Sequence, residues 1–303
     1  MIDIFDSRLA PVVRNATLER LCTGAIWSEG PVWLFEDDCV LWSDIPNNRM
    51  LRWSQADGMT VWRDRVEFTN GHTRDLNGDL LHCSHGLRAI VRTPLQGGRI
   101  DAATTDETVV DRYLGNRLNS PNDIVVKRDG TIWFSDPPYG ILSHREGHQA
   151  VPEQAANHVF CFNPATGVLT AASAWVQEPN GLAFSPDERL LYVSDTSVAL
   201  NPAGHHHIAV FDVAPDNSLH NPRVFAEVSP GLPDGFRLDT QGWIYTSSED
   251  SVQVYHPDGT LLGKIAVPEK VGNLCFGGPQ GKQLFIAAST SLYRVTLNTK
   301  GIL

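Results

Sequence analysis

Short hydrophobic runs alternate with clusters of turn-forming residues along the whole chain. The commonest pattern begins with a polar residue that carries a side-chain oxygen and continues into a short apolar strand. It then turns at Gly, Asp or Asn and returns through a strand rich in Ile, Leu, Trp and Tyr. This is the pattern of a β-hairpin. It occurs six times, as EGPVWLFEDDCVLWSDI from Glu29, NGHTRDLNGDLLHCSHG from Asn70, NDIVVKRDGTIWFSDPP from Asn122, NGLAFSPDERLLYVSDT from Asn180, DGFRLDTQGWIYTSSED from Asp234 and NLCFGGPQGKQLFIAAS from Asn273.

The spacing of the copies predicts the architecture. Successive copies start roughly 40 to 60 residues apart, the length of a four-stranded propeller blade with its loops. Further short strands such as RMLRWS and HVFCFN fill the intervals, and no long apolar stripe with helical period is present. We therefore expect an all-β, six-bladed β-propeller with four antiparallel strands per blade.

The two ends of the chain are expected to close the ring. The last copy leaves only the residues from Asn273 to Leu303, enough for three strands, while a strand-like TLERLC precedes the first copy. The N-terminal strand should complete the last blade, because this pairing removes a free sheet edge. Residues 1–303 are predicted to form a single domain.

The composition of the chain limits the classes of molecule that it is expected to bind. The chain has 303 residues and a net charge of -11, from 35 acidic and 24 basic residues, with no run of Lys or Arg. This balance argues against nucleic acid or an anionic membrane as a partner and favours a small neutral or cationic ligand. No signal-like N-terminus or membrane-length apolar run is present, so a soluble, cytoplasmic protein is expected, of open oligomeric state. The five cysteines include no CxxC pair and are expected to be core residues.

The polar residues that open the six copies carry the chemistry. The first strand of each blade lines the channel of a propeller, so these residues should form a ring around its axis. Two carboxylates and several amide oxygens match the ligands of a hard divalent cation such as Ca²⁺. Taken singly, each Asn or Asp could instead be an ordinary turn former. The predicted ring is Glu29, Asn70, Asn122, Asn180, Asp234 and Asn273.

Three further segments are candidates of lower rank. His85 belongs to the second copy and Tyr139 to the turn SDPPYG, and both are expected at the substrate pocket. His205, His206 and His207 follow NPAG, which predicts a solvated loop rather than a metal site. No GxSxG, HExxH or GxGxxG motif is present.

The chain resembles the senescence marker protein, gluconolactonase and luciferin-regenerating enzyme family, in particular its bacterial gluconolactonase-like branch. The resemblance is carried by WSEGPVW, RLNSPNDIVVKRDGTIWFSDPPYG, EPNGLAFSPDERLLYVSD and LPDGFRLDTQGWIY, in the same order over nearly the whole chain. It implies a six-bladed propeller with one catalytic divalent cation bound by Glu29, Asn180 and Asp234. It also implies that Asn122 binds substrate or completes the metal shell, and that Asp234 is the acid/base.

Two positions depart from the animal members of that family. Ser120 stands where they carry an Arg two residues before the third-blade Asn, and Tyr139–Gly140 stands where they carry a substrate-binding Glu. Both departures concern sugar specificity and leave the predicted metal ligands intact.

The resulting hypothesis is a metal-dependent hydrolase that opens a sugar lactone to its hydroxy acid. One divalent cation is expected, Ca²⁺ first, with Mg²⁺, Mn²⁺ or Zn²⁺ as alternatives. The same site could serve an organophosphate or aryl-ester hydrolase. A non-catalytic propeller with a structural ion and a protein partner also stays open, because a fold alone does not specify a function.

Overall fold

The structure is a computed structural model that describes residues 1–302. Its elements are almost all strands, and the first half of the chain contains β1 (Ile2–Ile4), β2 (Glu19–Thr23), β3 (Ser28–Leu34), β4 (Cys39–Asp44), β5 (Arg49–Ser54), β6 (Gly58–Asp64), β7 (Thr69–Arg74), β8 (Leu80–Ser84), β9 (Ala89–Thr93), β10 (Glu107–Val110), β11 (Arg112–Tyr113), β12 (Asn116–Arg117), β13 (Ile124–Val126) and β14 (Ile132–Asp136).

The second half continues the same pattern. Its strands are β15 (His158–Asn163), β16 (Val168–Ser173), β17 (Pro179–Phe184), β18 (Leu190–Asp195), β19 (His207–Val213), β20 (Leu219–Glu227), β21 (Phe236–Leu238), β22 (Ile244–Thr246), β23 (Ser251–Tyr255), β24 (Leu261–Ala266), β25 (Val271–Gly277), β26 (Gln283–Ala288) and β27 (Ser291–Thr296). Within the described residues the helices are the α-helix α1 (Tyr139–Leu142) and the 3-10 turns Ser7–Leu9, Ile45–Asn47 and Ser197–Ala199.

The strands form six antiparallel sheets arranged as the blades of a propeller. Blades one to four follow the chain as β3–β6, β7–β10, β13–β16 and β17–β20, and a small β11–β12 ribbon lies between blades two and three. The inner strand of each blade packs against the inner strand of the next, and β25 packs against β3 to close the ring. The predicted all-β, six-bladed fold is confirmed.

The two ends of the chain meet as expected, with one addition. In blade six β2 pairs with β27, so the N-terminal strand completes a sheet whose other three strands are C-terminal. In blade five β1 adds a fifth strand beside β24, which the sequence pattern did not predict. The single-domain boundary of 1–303 stays a prediction, and Leu303 lies outside the described residues.

Apolar side chains fill the spaces between neighbouring blades. Each hydrophobic cluster joins residues of two adjacent blades. Both faces of every blade are therefore covered by a neighbouring blade. At the closing junction Trp33 of blade one stacks on Phe285 of blade six, with ring centroids 5.2 Å apart. The core is therefore distributed around the ring, and it leaves the axis to polar groups.

Buried aspartates tie three of the blades to the loops that precede them. In blades one, three and four the second strand ends in Asp44, Asp136 or Asp195, each nearly inaccessible to solvent. Each carboxylate accepts a backbone N–H from the segment entering its blade, from Ile26 to Asp44, from Asn119 to Asp136 and from Gln177 to Asp195. These contacts fix the loops at one end of the channel.

No helix in the described residues is both long and apolar enough to cross a membrane.

Candidate active site on the propeller axis

Five of the six predicted ring residues meet at one end of the channel. They line a cavity of about 200 Å³ and are Glu29, Asn70, Asn122, Asn180 and Asp234. Bulges in the inner strands help to place Glu29, Asn70 and Asn180, since pairing shifts register between Glu29 and Val32, between Thr69 and His72 and between Pro179 and Leu182. A bulge turns side chains away from the sheet's regular alternation, and here it directs them to the axis.

The sixth ring position is Gly272, and the prediction of Asn273 was wrong by one residue. The N–H after a ring residue donates to the ring residue of the next blade, as Gly71 does to Asn122 and Gly181 to Asp234. In blade five the equivalent N–H, that of Gly235, donates to the Gly272 carbonyl. A register shift between Val271 and Asn273 produces this offset.

Asn273 lies deeper, in a polar layer that forms the floor of the site. There Asp123 pairs with Arg237 at 3.1 Å, and both side chains are largely buried. Asn273 accepts the Leu274 N–H and points its amide nitrogen towards Asp123, at 3.5 Å. Because Arg237 pairs with Asp123, the charges that face the cavity are those of the ring above.

The carboxylates of the ring are those of Glu29 and Asp234. Burial, followed by the charge of Asp234, raises the pKa of Glu29 well above its ordinary value. Burial raises the pKa of Asp234 to about 7, and the nearby carboxyl of Glu146 adds to the rise. Lys270 lowers the pKa of Asp234, as does a hydrogen bond from the Asn180 side chain. Two carboxylates that both resist ionisation are a place where a cation would be stabilised.

The donor set fits a hard divalent cation. Asn180 contacts Asp234, and the side-chain oxygen of Asn70 is buried without a hydrogen-bond partner. Such an orphaned oxygen beside two carboxylates matches oxygen coordination. Within the described residues no three His, Cys, Asp or Glu side chains are arranged to hold a metal, so a site here depends on amide oxygens.

The predicted substrate residues also line the cavity. Asn122 is nearly buried, and its backbone N–H donates to the Ser135 carbonyl. The Tyr139 hydroxyl lies 2.6 Å from the Thr196 hydroxyl, and burial raises its pKa. His85 is only 1% exposed, and burial lowers its pKa to about 4. Both of its ring nitrogens have protein partners, so a direct contact between His85 and substrate stays a prediction.

Several lining residues were missed by the sequence analysis. Glu146 and Lys270 supply the charges nearest the ring. Neither belongs to a repeated position, since Glu146 lies in the loop after α1 and Lys270 precedes β25, so the hairpin repeat gave no signal for them. The remaining lining residues are Trp27, Ile45, Thr196, Ala199 and Leu232.

The other candidates lie away from this cavity. The His205–His207 segment precedes and enters β19; the His205 ring contacts Gln177 and the His206 ring contacts the Val228 carbonyl. His207 is buried rather than solvated, and it pairs with Asp195 in the sheet. The five cysteines are free, and four of them are buried.

Known proteins are similar to this chain in sequence and in fold. A family model described as the SMP-30/gluconolactonase/LRE-like region matches residues 27–290. A gluconolactonase of Zymomonas mobilis is 33% identical over 98% of this chain and 86% of its own length. A pentonolactonase of Haloferax volcanii is 26% identical over 86% of this chain and 81% of its own length.

A solved structure supports the same assignment. The gluconolactonase of Xanthomonas campestris superposes with a TM-score of 0.89 at 40% identity, covering 98% of this chain and 94% of that one. Family match, sequence identity and fold agree over nearly the entire propeller. The chain belongs to the SMP-30/gluconolactonase/LRE-like family.

Proposed function

We propose that this protein is a metal-dependent hydrolase that opens a sugar lactone to its hydroxy acid. The observation that carries the proposal is the meeting of Glu29, Asn180 and Asp234 at one cavity on the axis. The names of the relatives support the substrate class, because they include a gluconolactonase and a pentonolactonase. A cavity of about 200 Å³ suits a ligand the size of a single sugar ring.

The cation is assigned to Glu29, Asn180 and Asp234, with Asn122 as a further oxygen donor. When bound it would polarise the lactone carbonyl as a Lewis acid. Ca²⁺ is the proposed ion, since the donors are carboxylate and amide oxygens, with Mg²⁺, Mn²⁺ or Zn²⁺ as alternatives.

Asp234 is the proposed general base. Its carboxylate would take a proton from the attacking water while the water oxygen bonds to the carbonyl carbon. The bond from that carbon to the ring oxygen then breaks, and Asp234 returns the proton to the departing oxygen.

Substrate orientation is assigned to Asn122 and Tyr139. The Asn122 amide and the Tyr139 hydroxyl, held against Thr196, face the cavity and can hydrogen bond to sugar hydroxyls. The apolar residues Ile45 and Leu232 also line the cavity, where they would limit the access of water to the reacting carbon.

The proposal is tested with Asp234→Asn and Glu29→Gln. Each should lower kcat for glucono-lactone at least about 100-fold, because each removes one of the two negative charges that hold the cation and the first also removes the base. Asp216→Asn, which alters an exposed turn carboxylate, is the matched control and should retain wild-type activity. Assays with an aliphatic lactone and a phosphotriester compare substrate classes. A wild-type enzyme that prefers the phosphotriester, or is inactive on every lactone, would refute the proposal.

A further inference from the structure

A chain of hydrogen bonds runs from the loop after α1 into the ring. The Glu146 backbone carbonyl lies 2.8 Å from Nδ1 of His85, and Nε2 of His85 lies 3.2 Å from the side-chain nitrogen of Asn70. The Asn70 side-chain oxygen, at the end of this chain, has no partner and less than 1 Å² of surface open to solvent.

We propose that His85 is a positioning residue that holds the Asn70 amide with its oxygen towards the axis, where that oxygen binds the cation. This inference rests on the metal dependence in the proposed function and adds two residues to it. Asn70 becomes a cation ligand, and His85 acts through Asn70 rather than on the substrate.

The carbonyl of Glu146 determines which atoms donate and which accept in this series of hydrogen bonds. A carbonyl can only accept, so Nδ1 of His85 must carry the hydrogen and donate it to Glu146. In a neutral imidazole Nε2 is then an acceptor, and only the NH₂ end of Asn70 can satisfy it. The amide oxygen of Asn70 is consequently turned away from His85. The opposite amide orientation would set two acceptors against each other.

The backbone of Asn70 is held as firmly as its side chain. The hydroxyl of Ser43 donates to the Asn70 carbonyl at 2.9 Å. The neighbouring ring position of blade one is followed by Gly30, whose missing Cβ leaves room for that carbonyl. With backbone and amide both fixed, the orphaned oxygen has one defined direction.

The group that binds the Asn70 side-chain oxygen must be small. An oxygen with almost no open surface is poorly placed to meet a sugar hydroxyl, whereas a bare divalent cation is smaller than a water molecule. A buried acceptor without a partner is unfavourable, and a cation coordinated by Glu29 and Asp234 would satisfy it. Ring position, burial and the absence of a partner all favour a cation ligand.

The test measures Ca²⁺ binding by calorimetry on the full-length, ion-free protein, so it needs no substrate. His85→Phe should weaken Ca²⁺ binding about tenfold or more, the usual effect of disturbing an outer-shell partner, and Asn70→Ala should weaken it at least as much because it removes a direct ligand. The double variant should be no weaker than either single variant, since both act through one oxygen.

A variant that restores Ca²⁺ affinity distinguishes a positioning role of His85 from a general effect of packing. His85→Gln offers an NH₂ group to Glu146 and an oxygen to the Asn70 NH₂ group, so it should restore Ca²⁺ affinity to within about threefold of wild type. His82→Phe is the matched control, a buried histidine of the same blade that does not line the cavity. It should leave Ca²⁺ affinity unchanged.

The outcomes separate this inference from the proposed function. Unchanged affinity in Asn70→Ala, additive losses in the double variant, or failure of His85→Gln to rescue would each overturn it, even if the enzyme hydrolyses lactones. Wild-type protein that binds no divalent ion would overturn it as well. If His85→Phe does not fold, the comparison of Asn70→Ala with His85→Gln still decides.

Discussion

At the residue scale, the ring depends on side chains that are missing as well as on those present. Gly30 follows Glu29 with a backbone φ of +53°, a left-handed conformation that side chains disfavour. A Cβ at this position would fall 2.2 Å from the Asn70 carbonyl oxygen. The close approach of blades one and two at the cavity therefore requires glycine.

Replacing Gly30 by Ala should disrupt both stability and activity. The left-handed φ alone costs about 1–2 kcal/mol, and the contact with Asn70 would force the two inner strands apart. We expect a loss of roughly 3 kcal/mol or more in the free energy of unfolding, with a fall in kcat/KM. Thermal and denaturant unfolding measure the first effect, and lactone hydrolysis measures the second.

Gly58→Ala is the control for this prediction. Gly58 also has a positive φ, +67°, but a Cβ there would meet nothing within 4 Å. Its replacement should cost only about 1 kcal/mol and leave activity intact. Equal losses in the two variants would show that backbone conformation, and not the blade contact, explains glycine at position 30.

The residues of the site differ in how predictable they are from sequence. Glu29, Asn180 and Asp234 open repeated hairpins, so the repeat alone places them on one axis. Gly272 was missed because a bulge changes the register by one residue without altering the local apolar pattern. Glu146 reaches the cavity through a loop, whose path depends on tertiary contacts that no period encodes.

At the element scale, the outer strand β2 differs from the other outer strands because it joins the two ends of the chain. Its pairing with β27 aligns Cys22 with Leu292 and Glu19 with Arg294. Glu19 and Arg294 also form an ion pair at 2.7 Å. Partly buried Leu21 and Cys22 pack on the cluster between blades six and one. This short strand thus ties the N-terminal segment to the last blade, in addition to the packing of β25 on β3 that closes the ring.

Proline in β2 should therefore destabilise the protein more than proline in an ordinary outer strand. Cys22→Pro removes a backbone donor from the closing strand, and Val61→Pro makes the same change in β6, the outer strand of blade one. We expect the melting temperature of Cys22→Pro to lie roughly 5 °C or more below that of Val61→Pro, a difference of about 2 kcal/mol.

A second measurement examines the exposed edge. If β2 detaches, β27 presents unpaired backbone groups, and the protein should aggregate and be cut by proteases near its N-terminus. Similar melting temperatures and similar protease resistance in the two variants would mean that β2 contributes no more than any other outer strand.

At the scale of the whole molecule, the six blades and the pairing of the chain ends could be predicted from the sequence, whereas the extra strand β1 could not. Repetition of one hairpin predicts the number of blades, and chain ends too short for a sheet predict their pairing. The extra strand β1 beside β24 has only three residues and no distinctive pattern. Such a strand forms because the outer strand of blade five has a free edge with which it can pair. That edge exists only once the blade has assembled, so the local sequence does not reveal it.

The same whole-molecule view links cation binding to stability. The proposed ligands come from blades one to five, so one ion would join blades that lie far apart in the sequence. A ligand that binds only the folded protein stabilises it, by about 2.7 kcal/mol at a hundred times its dissociation constant. Removing the ion with a chelator should lower the melting temperature by several degrees.

The size of that decrease should depend on pH in a defined direction. In ion-free protein burial raises the pKa of Glu29, and raises that of Asp234 from 3.8 to about 7. The folded state thus binds protons more tightly than the unfolded state, and this contribution to stability is lost as pH rises from about 4 through 7. A bound cation favours the ionised carboxylates instead. The difference in melting temperature between Ca²⁺-loaded and chelated protein should therefore increase from pH 5 to pH 8. Glu29→Gln/Asp234→Asn should show a small difference at every pH, whereas a wild-type difference that shrinks with rising pH would place the cation away from these carboxylates.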